Sequence, residues 1–339
     1  MLDDYFAILN GKRPARHSFS SHIPAGAASL DEIGESDLWR LHEEAMVAFY
    51  EAWNSCIIPP RDPKPSLLDL KAAIARHMIE DCRLCERSCG VNREDGELGY
   101  CGVPATPRIA SNFLHFGEEP EIVPSHTIFF SGCTFRCAYC QNWDIAMDAR
   151  CGSSADPAAL VASIREGIVQ GSRNANFVGG DPTPALHTVL DTLAVLDPYA
   201  PNLPAIWNSN MYASAETMRL LDGVIDVYLA DFRYGNDDCA LKYSSVENYF
   251  GLVSRNLVTA HEQGEIMLRL LLLPGHLSCC AAPIMEWVAS HMPDVYFNLM
   301  FQYHPDYRAS LYPEIDRRPS AEEKAEALAL ARRLRLRIG

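Results

Sequence analysis

The chain lacks any apolar run long enough to cross a membrane. Its longest, Ile266 to Pro274, is well short of the roughly 20 residues that a spanning helix needs. A secretory start is missing too, because MLDDYFAILN opens on acids instead of a basic and then apolar stretch. Basic residues are scarce: 29 Lys and Arg stand against 44 Asp and Glu, for a formal net charge of −15. That balance argues against a general phosphate-binding surface of the kind nucleic acid requires. No internal repeat, heptad or low-complexity tract interrupts the sequence. Together these absences predict a cytoplasmic globular protein without nucleic-acid or membrane partners. Its 339 residues, 48% of them apolar, suffice for one large domain of the α/β-barrel kind or two smaller ones.

Cysteine, by contrast, is plentiful. Twelve cysteines in a cytoplasmic chain point away from a disulfide framework and toward metal or redox chemistry. Cys82, Cys85, Cys89 and Cys101 form one group, and Cys133, Cys137 and Cys140 another. Cys56, Cys151, Cys239, Cys279 and Cys280 are scattered and read as small buried apolar residues.

Four segments follow from the pattern. Residues 1–75 form an N-terminal helical extension, with apolar residues at helical spacing from Ser36 to Trp53. The prolines of IPPRDPKP (Ile58 to Pro65) mark a linker within it. Residues 76–124 are a Cys-rich, Gly-rich metal-binding segment, 125–310 a core barrel, and 311–339 a C-terminal helix whose capping box pairs Ser320 with Glu323. Within the core, strands are expected at His126–Gly132, Asn174–Gly180, Ala205–Asn210, Asp226–Phe232, Glu265–Gly275 and Val295–Tyr303. Helices are expected between them, one capped by Asp156 and Pro157, others opening at Thr183-Pro184 and near Ser214. Alternating strands and helices imply an α/β fold with a parallel sheet, curled into a barrel or left open. In either case the site belongs at the carboxyl ends of the strands.

The sharpest motif sits there. GCTFRCAYCQN (Gly132 to Asn142) spaces its cysteines C-x3-C-x2-C directly after the first core strand. Three thiolates on one short loop can hold three corners of a cubane 4Fe–4S cluster, leaving the fourth iron open to an exogenous ligand. A structural zinc site would want a fourth protein ligand, and no further His or Cys lies beside this loop.

These residues resemble the signature of the radical S-adenosylmethionine superfamily, C-x3-C-x-aromatic-C, with Tyr139 as the aromatic. Within it the chain is similar to the branch of pyruvate formate-lyase activating enzyme, over about Arg76 to Tyr303. The resemblance implies a partial (β/α)6 barrel of the TIM-like type and an oxidoreductase with two cofactors, a 4Fe–4S cluster and S-adenosylmethionine. It implies reductive cleavage of S-adenosylmethionine to methionine and a 5′-deoxyadenosyl radical that abstracts hydrogen from a substrate. A reductant such as flavodoxin or ferredoxin is the implied partner, with a protein substrate where the activase role applies.

The resemblance also carries over to cofactor-binding positions. Gly179-Gly180-Asp181 stands where the family has Gly-Gly-Glu around the cofactor ammonium. Two glycines allow close approach of backbone to a ligand, and an acid suits a cation. Ser209-Asn210 ends the third core strand beside the methionine moiety, and Asp231-Phe232-Arg233 resembles the Asp-x-Lys that contacts its amino acid part. Arg269, embedded in an apolar strand, needs an anionic partner or a wet cavity, which the cofactor carboxylate or a structural ion pair would supply. Gln302 and His304 follow the last strand, where the family places a His near the adenosine.

The C-x2-C-x3-C-x11-C group (Cys82, Cys85, Cys89, Cys101) fits a second metal site, either tetrahedral zinc or a fully ligated iron–sulfur cluster. Two functional classes stay open: an enzyme acting on a glycyl-radical protein, a peptide residue or a small metabolite, and a non-catalytic iron–sulfur electron carrier or redox sensor. A carrier has little use for the Gly-Gly-Asp turn and an inward arginine, which favours the enzyme. The chain has no cobalamin-type D-x-H-x-x-G and no Cys-rich C-terminal extension.

Overall fold

The computed structural model describes residues 2–60, 65–196 and 198–338. Residues 61–64, in the middle of the expected linker, lie outside them. Four helices come first: α1 (Asp3–Leu9), α2 (Arg16–Ser20), α3 (Glu35–Asn54) and α4 (Leu67–Glu80). The strands are β1 (Arg108–His115), β2 (Ser125–Phe130), β3 (Ser153–Ser154), β4 (Ala175–Gly179), β5 (Ala205–Ser209), β6 (Val227–Asp231), β7 (Glu265–Leu271) and β8 (Tyr296–Met300). Between and after them run α5 (Trp143–Ala146), α6 (Pro157–Val169), α7 (Leu186–Leu196), α8 (Ala215–Leu221), α9 (Asp237–Ser244), α10 (Tyr249–Gln263), α11 (Ala282–His291) and α12 (Ala321–Arg333).

All eight strands join one sheet, in the order β3-β1-β2-β4-β5-β6-β7-β8. β2 and β4 through β8 run parallel, while β1 is antiparallel to β2 and β3 to β1. Among the described residues the end strands β3 and β8 do not pair, so the barrel is partial, as the α/β reading expected. β1 was not foreseen. It extends the sheet into the segment assigned to metal binding, because its polar, half-exposed pattern gave no strand signal.

Side chains on a strand alternate between two faces, and the buried strands divide accordingly. Trp207, Tyr228, Ala230, Leu268 and Leu270 point outward into the core shared with the helices. Ile206, Val227, Leu229, Met267 and Tyr296 point inward, where they meet Leu2 and Tyr5 of the N-terminal segment and Ile122 of the β1–β2 connection. α1 of the N-terminal helical segment therefore closes the amino end of the barrel. Glu265, the first residue of β7, accepts from the Asp4 and Tyr5 N–H groups at 3.1 and 2.8 Å, satisfying orphan donors of the first helical turn. The Tyr5 hydroxyl accepts from Asn174 Nδ2 at 2.9 Å.

Helix starts follow local chemistry. Asp156, Ser214 and Ser320 each accept a backbone N–H three residues on, and Ser320 with Glu323 forms the expected capping box. The helix expected at Thr183 begins as a 3-10 turn, Thr183–Ala185, before α7.

Candidate active site

The carboxyl ends of the parallel strands enclose a cavity of about 420 Å³, lined by Cys133, Cys137, Cys140, Asp181, Asp231 and Arg269 among others. Every cofactor-binding candidate named from the sequence lines it except His304. The His304 ring Nδ1 lies 3.4 Å from the carbonyl of its neighbour Pro305. Gln302 is in the lining, with its Nε2 3.2 Å from Met300 Sδ.

The cysteine loop leaves β2 through Gly132, whose φ of +87° puts it in the left-handed region. A Cβ there would stand 2.5 Å from Val103 Cγ2 and 3.0 Å from the Cys101 carbonyl. Donors converge on the sulfurs behind it. Cys133 Sγ accepts from the Phe135 N–H at 3.3 Å, and Cys137 Sγ from the Ser244 hydroxyl at 2.9 Å and Arg233 Nη1 at 3.4 Å. Burial pushes the Cys133 thiol up, reinforced by the charge of Asp181, and pushes Cys140 to about 12. Buried sulfurs ringed by donors suit thiolates bound to a cationic centre. Three buried or half-buried thiols on one loop suit three corners of a 4Fe–4S cluster. Tyr139 donates to Tyr234 Oη at 2.8 Å, and Tyr234 shares a 2.6 Å hydrogen bond with Ser244, so the aromatic of the motif is tied to the same helix, α9.

Gly179 and Gly180 are required for a reason the sequence did not give. A Cβ on Gly179 would lie 2.1 Å from the Phe130 carbonyl, and one on Gly180 would lie 2.1 Å from the Gly132 carbonyl. Their first duty is to let the cysteine loop seat against β4. Asp181 is fully buried, and its carboxylate accepts from the Thr183 N–H (2.9 Å), the Ser209 hydroxyl (3.0 Å) and the Asn210 N–H (3.2 Å). Burial raises its pKa, with these hydrogen bonds opposing. Asp231 and Arg233 pair at 2.6 Å on the rim of β6.

Arg269 meets anions that were not named from the sequence. Its guanidinium binds Glu118 and Glu119, both from the β1–β2 connection. Glu119 also accepts from Asn298 Nδ2 at 2.8 Å, and Glu118 lies 3.4 and 3.5 Å from Asn176 and Asn208 Nδ2. Burial alone would raise the Glu119 pKa, but hydrogen bonding and charge from Arg269 outweigh it and hold it below the usual carboxylate value. Arg269 thus has loop acids as partners, not a strand neighbour, while it also lines the cavity. The only sequence signal was the unexplained need of Arg269 for a counter-charge.

Cys82, Cys85, Cys89 and Cys101 line one nearly closed void with Arg93. The Tyr100 N–H points at Cys89 Sγ, 3.4 Å away, and burial pushes the Cys85 and Cys101 thiols up. This segment packs on the catalytic loop. Arg136, between Cys133 and Cys137, donates to the Tyr100 carbonyl and lies 4.5 Å over its ring, and Arg87 donates to the Thr134 carbonyl at 3.1 Å.

Residues 127–288 match the family described as the Radical SAM superfamily. A protein of Methanocaldococcus jannaschii, named Uncharacterized protein MJ0674, is 40% identical over 340 residues, covering 99% of this chain and 98% of the relative. Among solved structures, SuiB of Streptococcus suis bound to precursor peptide SuiA matches 61% of this chain and 46% of that chain at 10% identity and a TM-score of 0.44. SuiB bound to S-adenosylmethionine matches 61% and 47% at 10% identity and a TM-score of 0.43. Both matches span less than half the length of the SuiB chains. No helix among the described residues is long and apolar enough to cross a membrane.

Proposed function

The chain belongs to the radical S-adenosylmethionine superfamily, and from that premise we propose how its own residues divide the work. Cys133, Cys137 and Cys140 hold a 4Fe–4S cluster, and the cavity beside them holds S-adenosylmethionine. When bound, these groups supply the one-electron cleavage whose 5′-deoxyadenosyl product takes a hydrogen atom from the substrate. The observation that carries this reading is the convergence of Ser244 and Arg233 on the buried Cys137 sulfur, in the lining of the 420 Å³ cavity.

Asp231 and Arg233 form the rim pair that receives the amino acid part of S-adenosylmethionine, the acid facing its ammonium and the guanidinium its carboxylate. Arg269 is engaged by Glu118 and Glu119 and anchors the floor of the cavity instead. Asp181 fixes the ends of β4 and β5 through Ser209 and Asn210, leaving the Gly180–Asp181 backbone to line the cofactor. His304 lies outside the residues that line the cavity.

Cys82, Cys85, Cys89 and Cys101 hold a second metal centre, zinc or iron–sulfur. Its contact with the catalytic loop through Arg136 and Tyr100 supports a path for electrons from a flavodoxin- or ferredoxin-type reductant. The resemblance to pyruvate formate-lyase activating enzyme makes a glycine Cα–H of a partner protein the first substrate to test.

Anaerobic reconstitution followed by reduction should yield 5′-deoxyadenosine from S-adenosylmethionine. Cys137→Ala should abolish both cluster retention and cleavage. Undiminished 5′-deoxyadenosine from that variant would overturn the assignment.

A further inference from the structure

Three cysteines that look scattered in the sequence meet in the fold. Cys239 lies in the first turn of α9, and Cys279 and Cys280 lie in a π-helical turn, Leu277–Ala281, after β7. Their sulfurs all lie within 4.8 Å of one another, the one such group of three metal-ligating side chains among the described residues. π-Helical turns are rare and concentrate at functional sites.

The two segments are held together by close backbone approach and a shared polar side chain as well as by core packing. Gly235 approaches so closely that a Cβ on it would lie 2.6 Å from the Cys280 carbonyl. Asn236 caps α9 by accepting from the Cys239 N–H at 2.8 Å. Its Nδ2 donates to the Cys279 carbonyl at 2.7 Å and points toward Cys280 Sγ at 3.7 Å. One side chain thus positions all three cysteines. The Cys279 and Cys280 sulfurs are 3.9 Å apart. Tetrahedral zinc with Zn–S bonds of about 2.3 Å sets its sulfurs roughly 3.8 Å apart. That pair is spaced as two ligands of a single ion would be, and the Cys239 sulfur lies within 4.8 Å of both.

We propose that Cys239, Cys279 and Cys280 bind one Zn²⁺ ion at the carboxyl face of the barrel, separate from both the catalytic cysteines and the Cys82–Cys101 group. Each Zn–S bond forms as one thiol proton leaves, so binding releases three protons and gives a site of net charge −1. Lys242, one turn further along α9, is paired with Glu314, and its remaining field acts on the Cys239 side of the site. No fourth His, Cys, Asp or Glu joins the group among the described residues. Water takes the fourth position, reached past the half-exposed Cys279, in the arrangement of zinc sites that keep one position open. α9 begins at this site and ends at Ser244, whose hydroxyl contacts Cys137. Zinc here would fix the helix that supports the catalytic loop.

Residue-resolved alkylation of the full-length protein, purified without oxygen and with its iron reconstituted, tests the site directly. Adding Zn²⁺ should protect Cys239, Cys279 and Cys280 together from iodoacetamide. The Cys279→Ser protein should hold one zinc fewer per chain than the unaltered protein, whatever the Cys82–Cys101 group contains. Equal alkylation of the three with and without zinc, in the unaltered protein, overturns the proposal even if the variant does not fold. Iron content and 5′-deoxyadenosine formation report separately on the catalytic cysteines.

Discussion

At the amino end of the barrel the inward side chains Val227, Leu229, Met267 and Tyr296 meet Leu2 and Tyr5. One inward step further along the same strands, the register brings Asp231, Arg269 and Asn298 side by side. The strands are continuous and their alternation unbroken, yet one end is a dry stopper and the other a charged chamber. The boundary is a single layer deep. Loop acids Glu118 and Glu119 enter from the amino side and satisfy Arg269 from beneath. Stability and chemistry are thus separated along the strand axis: the lower layers bury apolar area, and the upper layer carries polar groups that fold only because they satisfy one another.

That division can be broken from either end. Tyr5→Ala should show the largest effect, removing a fully buried ring and the partner of Asn174. A loss of about 3–5 kcal/mol in denaturant unfolding is expected, with cleavage per folded molecule preserved. A fall in cleavage without loss of stability would mean that the two ends are not independent. Arg269→Ala attacks the boundary, leaving two buried carboxylates unpaired, and should cost about 3 kcal/mol. Its S-adenosylmethionine affinity, measured by titration in the folded variant, should change less than that of Arg233→Ala. The reverse order would return Arg269 to the cofactor. Asp231→Asn, at the rim, should weaken S-adenosylmethionine binding about tenfold, or roughly 1.4 kcal/mol, with the unfolding midpoint unmoved.

The smallest effect concerns pH. Glu119 has a pKa held below its ordinary value of 4.5 by Arg269. A carboxyl lowered in the folded state contributes stability that is present above pH 4.5 and lost as pH falls through the lowered value. Glu119→Gln should therefore flatten the acid side of the stability profile. An unchanged acid slope would mean that the pair adds nothing to acid sensitivity.

Much of this design was legible in the residues. Strands with apolar residues on both faces, such as Val227–Asp231, declare themselves as buried parallel strands, and the caps at Asp156, Ser214 and Ser320 follow from side-chain chemistry. The cysteine motif points to its own loop. What stayed hidden depended on distance in sequence. Glu118 and Glu119 lie about 150 residues from Arg269, and nothing local to them hints at a buried ion pair. Gly179 and Gly180 were recognised as a close-approach site, but what approaches is the backbone of β2 and the cysteine loop. Cys239, Cys279 and Cys280 read as isolated because the spacing that matters runs between neighbouring strand ends and not along the chain.

The stopper also imposes an order of events. Tyr5 and the Glu265 that holds it are 260 residues apart, so α1 cannot find its seat until β7 has been made. Contacts of such separation are costly to close before the rest of the structure exists. Until β7 and β8 are in place α1 has no partner for its apolar face, and the barrel floor is sealed only when they arrive.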